Sequence, residues 1–212
     1  LTGYVLNDSR GVVVEIEGTP SQVSGFLTGF EDAAPPLAVV DAIKTVDIDV
    51  VHDHEFSIRE SEALLGVSTP TAPDIAVCND CLAEFTDKED RRFRYPFINC
   101  TNCGPRFTIV KDIPYDRPNT TRQPFEMGPP CQREYDDPAD RRFHAQPNAC
   151  QKCGPRLVLL DPSGIPVPGD PIATAANALR NGEIVAIKGL GGFQLACDAA
   201  SQEAVEALRS RK

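Results

Sequence analysis

Alternating apolar and polar positions open the chain. Leu1 to Leu6 and Gly11 to Ile16 both follow period two, which predicts two strands joined by the turn-forming run Asn7-Asp8-Ser9-Arg10-Gly11. The period then lengthens: Val23, Phe26, Leu27 and Phe30 recur at helical spacing behind a candidate cap at Thr19 and a first-turn Pro20, and Pro35-Pro36 closes this helix. Residues 37–50 and Glu55-Phe56-Ser57-Ile58 suggest further strands, so residues 1–62 predict an α+β segment. Residues 63–77, with Pro70 and Pro73, predict a linker, and Asp161 to Asp170 a second one. From Pro171 the pattern turns α/β. A helix through Ala173, Ala176, Leu179 and Arg180 stops at Asn181-Gly182, a buried strand Ile184-Val185-Ala186-Ile187 follows, and a last helix runs from a capping Ser201 to Lys212. Helix, strand and helix cannot close a core, so the chain is expected to be a piece of a longer fold.

Between the linkers long periodic segments give way to cysteines. Cys78-x2-Cys81 is followed after eighteen residues by Cys100-x2-Cys103. A shift of 50 residues lays Cys131, Cys150 and Cys153 on Cys81, Cys100 and Cys103, while Cys78 falls on Gly128. Glu84, Asp87, Asp90, Arg91, Arg92, Phe93, Gly104, Pro105 and Arg106 recur at the same offset as Glu134, Asp137, Asp140, Arg141, Arg142, Phe143, Gly154, Pro155 and Arg156. One spacing shared by so many residues marks a duplication.

Paired CxxC turns fit a tetrahedral zinc ion, because each turn brings two thiolates to one point and the second pair closes the site. Cys78, Cys81, Cys100 and Cys103 therefore predict a closed, structural four-thiolate centre. Such ligation contributes about 10–16 kcal/mol to folding, which would offset the thin apolar core of this region. In the CGPR run after each second pair, glycine suits a tight turn, proline stiffens it and arginine can offset the net charge of thiolates on a divalent ion. Cys131, Cys150 and Cys153 predict a second site that lacks one donor. His144 completing it, three thiolates with water, and no metal all stay open, as does whether ligands pair within or between repeats.

Charge changes the picture in one respect. The net charge is −10, yet residues 78–156 carry 13 Lys and Arg against 12 Asp and Glu, leaving 8 against 19 elsewhere. A near-neutral finger region with acidic flanks argues against generic nucleic-acid binding, which needs a positive excess. No stretch approaches 18 apolar residues and the first residues lack a signal-peptide pattern, so a cytoplasmic protein without a membrane segment is expected. That compartment also favours metal over disulfides for eight cysteines. His52-Asp53-His54 fits a solvated loop, Cys197 a buried core thiol, and the Gly-rich run after Lys188 lacks the GK[ST] of a P-loop.

Three sets of residues together carry a family resemblance: the duplicated CxxC-x18-CxxC with CGPR, Arg141-Arg142-Phe143-His144-Ala145-Gln146-Pro147-Asn148-Ala149-Cys150, and Ile187-Lys188-Gly189-Leu190-Gly191-Gly192-Phe193-Gln194-Leu195-Ala196-Cys197-Asp198-Ala199. Along essentially its whole length the chain resembles the HypF family of [NiFe]-hydrogenase maturation carbamoyltransferases. The resemblance implies an α+β multidomain architecture. Residues 1–62 would be part of an acylphosphatase-like (ferredoxin-like) domain, residues 78–160 a duplicated zinc-finger region, and residues 171–212 the start of an α/β YrdC-like domain. It also implies a reaction: carbamoyl phosphate and ATP give a carbamoyl adenylate, and the carbamoyl group passes to the C-terminal cysteine of a HypE-type maturation protein, where it becomes a cyanide ligand.

By the same resemblance Asn7 matches the acylphosphatase asparagine that positions water, and Lys188 the lysine of the nucleotide and carbamoyl site. Arg211 and Lys212 lie near further phosphate contacts, where a solvated helix terminus fits equally. The matching phosphate-loop arginine is absent from this sequence, so the fragment by itself is expected to be inactive. The competing expectation is a zinc-stabilised docking module without catalysis of its own.

Overall fold

In a computed structural model of the protein, which describes residues 1–8, 11–30, 32–59 and 71–211, the chain forms two compact units, Leu1–Gly154 and Pro155–Lys212. The first begins with β1 (Thr2–Asp8) and β2 (Gly11–Glu17), antiparallel from Thr2↔Glu17 to Asp8↔Gly11. Helix α1 (Pro20–Gly29) starts with a capping box: the Thr19 hydroxyl accepts from Gln22 N, and the Gln22 side chain accepts from Thr19 N at 2.9 Å. It ends at Gly29, ahead of Pro35-Pro36. Strand β3 (Phe56–Ile58) joins the far side of β1 in parallel, giving the order β2-β1-β3.

The strands expected within 37–50 do not form. Val39 and Val46 are 84% and 83% exposed, and among the described residues no neighbouring strand completes the hydrogen bonds of this stretch. The Glu17 carboxylate instead accepts the amides of Val51, His52 and Asp53, which fixes the approach to β3 and makes the HDH run a surface loop.

The duplication is fully structural. Helices α2 (Asn79–Thr86) and α3 (Pro129–Asp136) start 50 residues apart, behind Cys78 and Gly128 respectively. Each repeat then turns through one residue at positive φ, Arg94 (55°) or His144 (49°), whose amide donates to Phe85 O or Tyr135 O at 2.8 and 3.0 Å. The core between the repeats is built from thiols and polar groups: Cys81, Tyr95, Ile98, Cys100, Cys103 and Ala149 form its apolar cluster, and Arg92, Asn99 and Asn148 are buried beside it. Residues 71–77 of the expected linker belong to this frame. Ile75 and Gly104 exchange backbone hydrogen bonds of 3.1 and 2.9 Å, and the Asp74 carboxylate accepts from Arg106 N at 2.7 Å. The rest of that linker, residues 63–70, lies outside the described residues.

In the second unit, the expected linker at 161–170 contains a turn closed by Asp161, whose carboxylate accepts from Ser163 N and Ile165 N, with Leu160 bridging Pro166. Asp170 caps α4 (Pro171–Arg180), which stops at Asn181-Gly182 as its sequence predicts. Strands β4 (Val185–Gly189) and β5 (Gly192–Ala196) form a hairpin, and Ser201 caps α5 (Gln202–Arg211), accepting from Ala204 N at 3.2 Å. The strand expected to be buried is not: Ile187 is 50% exposed, because one helix beside two strands cannot cover both faces. Cys197, expected in the core, is partly exposed.

Candidate metal centres and the site around Asn7

Two thiol clusters stand at the heart of the first unit, and each draws its ligands from one repeat. Cys78, Cys81, Cys100 and Cys103 gather within 4.8 Å of one another, and Cys131, Cys150 and Cys153 do the same. Within them, the sulfurs of Cys78–Cys100, Cys100–Cys103, Cys150–Cys153 and Cys131–Cys153 are 3.7, 3.8, 3.6 and 3.5 Å apart. A zinc ion with thiolates at about 2.3 Å has tetrahedral edges of about 3.8 Å, so the donors fit. A disulfide would need about 2.05 Å, and all these cysteines are free. Bound there, zinc would hold the knuckles closed and replace the thiol protons. Burial pushes the Cys131 thiol up to about 11 against the hydrogen bond from Arg91, so a bound metal would be what makes this group anionic at neutral pH.

The helices position the first ligands. Cys78 caps α2, its sulfur accepting from Cys81 N at 3.5 Å, and Cys81 follows one turn later on the buried face. In the second repeat Gly128 holds the cap and offers no donor.

What crosses between the repeats is arginine. Arg91, in the first, donates to the sulfur of Cys131 at 3.1 Å; Arg141, in the second, donates to the sulfur of Cys81 at 3.1 Å. Arg92 reaches Glu134 Oε2 at 2.6 Å, Asn148 Oδ1 at 3.0 Å and Ala149 O at 2.9 Å, while Arg142 pairs with Glu84 and donates to Asn99 O at 3.0 Å. Each cluster is thus countered by the other repeat's cations. Burial opposes ionisation of Glu134, but hydrogen bonds from Arg92 and Arg91 prevail and hold its carboxyl down at about 2. The repeating Arg-Arg pair was visible in the sequence, but a 50-residue period cannot say which repeat each pair serves.

Two expectations change. His144 does not join the three thiols: its amide is held by Tyr135 O, and its ring stacks on Tyr135 (5.0 Å, 16°) and against Phe143 (4.5 Å). The charge-offsetting role expected of the CGPR arginine also falls elsewhere. Arg106 donates to the carbonyls of Cys100, Thr101, Cys103 and Pro105 at 2.8–3.1 Å, bracing the knuckle's backbone.

Asn7 lies near the end of β1, exposed in a cleft of about 690 Å³ shared with Arg59, Arg117, Tyr135, His144 and Gln146. Arg59 lies 3.4 Å over the Tyr4 ring. Lys188 is exposed on β4 with its ammonium 4.9 Å from the Phe193 ring, and the Gly-rich run after it is the two-residue hairpin turn at Leu190-Gly191. Arg211 is the exposed last residue of α5; Lys212 lies outside the described residues.

Comparison with known proteins now places these parts. Acylphosphatase matches residues 1–58, the HypF finger residues 77–110 and 127–160, and the telomere recombination (Sua5/YciO/YrdC) family residues 177–212. These are HypF family domains. Carbamoyltransferase HypF of Rhodobacter capsulatus is 52% identical over 214 residues, covering 100% of this chain and 28% of the relative. Carbamoyltransferase HypF2 of Cupriavidus necator is 54% identical over 215 residues, 100% and 27%. A crystal structure of full-length HypF in the phosphate- and nucleotide-bound form superposes with TM-score 0.90 at 47% identity over 99% of the chain and 27% of that structure. HypF of T. kodakarensis gives 0.85 at 46%, over 100% and 27%. The chain therefore spans about a quarter of the HypF proteins it matches.

Among the described residues no helix is long and apolar enough to cross a membrane.

Proposed function

We propose that this chain is part of a cytoplasmic carbamoyltransferase of [NiFe]-hydrogenase maturation. The observation that carries this reading is the match along the whole of this chain, at 52 and 54% identity, to 28% and 27% of the length of two carbamoyltransferases of the HypF type. In it, carbamoyl phosphate and ATP yield a carbamoyl adenylate, and the carbamoyl group passes to the C-terminal cysteine of a HypE-type protein. Asn7 positions water for the acyl phosphate, since an amide both donates and accepts. Arg59, Arg117 and His144 line its cleft, and since the Arg117 guanidinium is held by the carbonyls of Phe125, Gln146 and Asn148, Arg59 is the cation there for a small anion. Lys188, exposed with its ammonium beside the Phe193 ring, counters nucleotide phosphate charge, with Arg211 and Lys212 as further cations. The metal-bound fingers act as structural connectors and take no part in the carbamoyl transfer.

The test is carbamoyl-phosphate-dependent exchange of pyrophosphate into ATP by the full-length protein. The reading expects exchange that falls by about 10² or more on Lys188→Ala, the scale of removing one group that stabilises transition-state charge. It also expects none from residues 1–212. Exchange by this fragment, or none by the full-length protein, would overturn it.

A further inference from the structure

Gly128 gives the second cluster a chemistry that the first lacks. Its backbone (φ −71°, ψ 161°) matches that of Cys78 (φ −80°, ψ 164°), so a cysteine side chain would fit there without strain. A Cβ built on Gly128 meets one neighbour within 4 Å, Cys153 Cβ at 3.9 Å. The corner of the cluster where the first repeat places its fourth thiolate is therefore open, and Gly128 and Cys153 at its edge are both partly exposed. Among the described residues no histidine, aspartate or glutamate joins the three thiols, and His144 is held on Tyr135. The surrounding charge, however, repeats that of the complete site: Arg91 and Arg92 face Cys131 as Arg141 and Arg142 face Cys81. The second cluster has the cationic surroundings of a four-thiolate site and one thiolate fewer.

We infer that the second finger is an open, three-thiolate metal site whose remaining position takes an exogenous thiol. The physical reasons are complementary. A divalent ion on three thiolates carries −1, and Arg91 and Arg92, paired with Glu134, face it as Arg141 and Arg142, paired with Glu84, face the net −2 of the complete site, so the same surroundings accommodate one more anionic donor. Soft thiolate surroundings select a soft fourth donor. On binding, the thiol gives its proton to solvent and its sulfur replaces a solvent oxygen on the ion, with no change of oxidation state. The ligand is a small-molecule thiol, and 2-mercaptoethanol serves as the probe. This inference stands apart from the carbamoyl chemistry and needs only a metal on each cluster.

Cobalt(II) reports the donors directly, through thiolate-to-metal charge-transfer absorption. The metal-free 212-residue chain, titrated under reducing, thiol-free conditions, should take up one cobalt per cluster. With four thiolates in the first cluster and three in the second, 2-mercaptoethanol should raise the charge-transfer intensity by about one part in seven. Gly128→Cys should show the higher intensity from the start and not respond. Gly128→Ala, which adds no donor, should respond as the natural chain does. Uptake of a single cobalt would overturn the inference by removing the second metal; two cobalts without a response to thiol would overturn the open position; and a response retained in Gly128→Cys would place the thiol elsewhere.

Discussion

Replacing Arg92 by methionine should loosen the metal of the repeat to which Arg92 does not belong. Arg92 is 1% exposed and its guanidinium makes five hydrogen bonds across the repeat boundary, two to Glu134 at 3.0 and 2.6 Å and one each to Asn148 Oδ1, Ala149 O and the Cys131 sulfur. Methionine keeps much of the volume and removes all five. Breaking a buried ion pair from one side costs about 3–5 kcal/mol. Glu134 keeps Arg91 at 2.5 Å and is 19% exposed, so its carboxylate is not stranded and the lower end applies. The freed Ala149 carbonyl and Asn148 amide keep the cost from falling further.

We therefore expect about 3 kcal/mol. Because zinc binds the folded finger, that cost appears as a weaker apparent affinity, by about a hundredfold. Competition with a chelator measures it: one zinc equivalent should leave at about a hundredfold lower chelator activity while the other moves much less. A shift of less than about threefold would refute the reasoning, since it would mean that the buried arginine contributes no more than an exposed ion pair.

The two CGPR glycines should both resist alanine, for different reasons. At Gly104 φ is +94° and a Cβ would meet Asn99 Cβ at 2.5 Å; at Gly154 a Cβ would meet the Tyr95 hydroxyl at 2.1 Å and Ala149 Cβ at 2.6 Å. Each substitution should cost about 1–3 kcal/mol in urea unfolding of the zinc-loaded chain, and a neutral result would contradict the close contacts. Stripping both metals should expose the amides of residues 71–154 to hydrogen exchange while α4 and α5 keep their protection, because the thiol-based core lies within the first unit. Loss of protection in α4 as well would contradict that division.

Much of this site could be read from the sequence because zinc chemistry is local. The CxxC spacing placed the ligand pairs and the 50-residue offset marked the two repeats, while the short helices α2 and α3 within them carried no periodic signal long enough to predict. The Thr19 and Ser201 caps were legible for the same reason: the signal lies within three residues of the bond it makes. Expectations failed where the partner is distant in sequence. The alternation in 37–50 resembles a strand until one asks what lies beside it, and Ile184-Val185-Ala186-Ile187 resembles a buried strand until the cover over it is counted. His144 was nearest to the second cluster in sequence, but its positive φ and the Tyr135 carbonyl hold it away. The arginine exchange is the clearest case, since a true repeat produces the same pattern whether each pair serves its own half or the other.

Cadmium NMR of the metal-loaded chain tests the cross-braced pair of fingers most directly, because each metal then reports its own surroundings. Cys100→Ser should displace or abolish one of two resonances, identifying the first cluster. Arg92→Lys should then move the other resonance and leave that one nearly in place. If Arg92→Lys moves the resonance assigned through Cys100, the arginines serve their own repeats and the account is wrong.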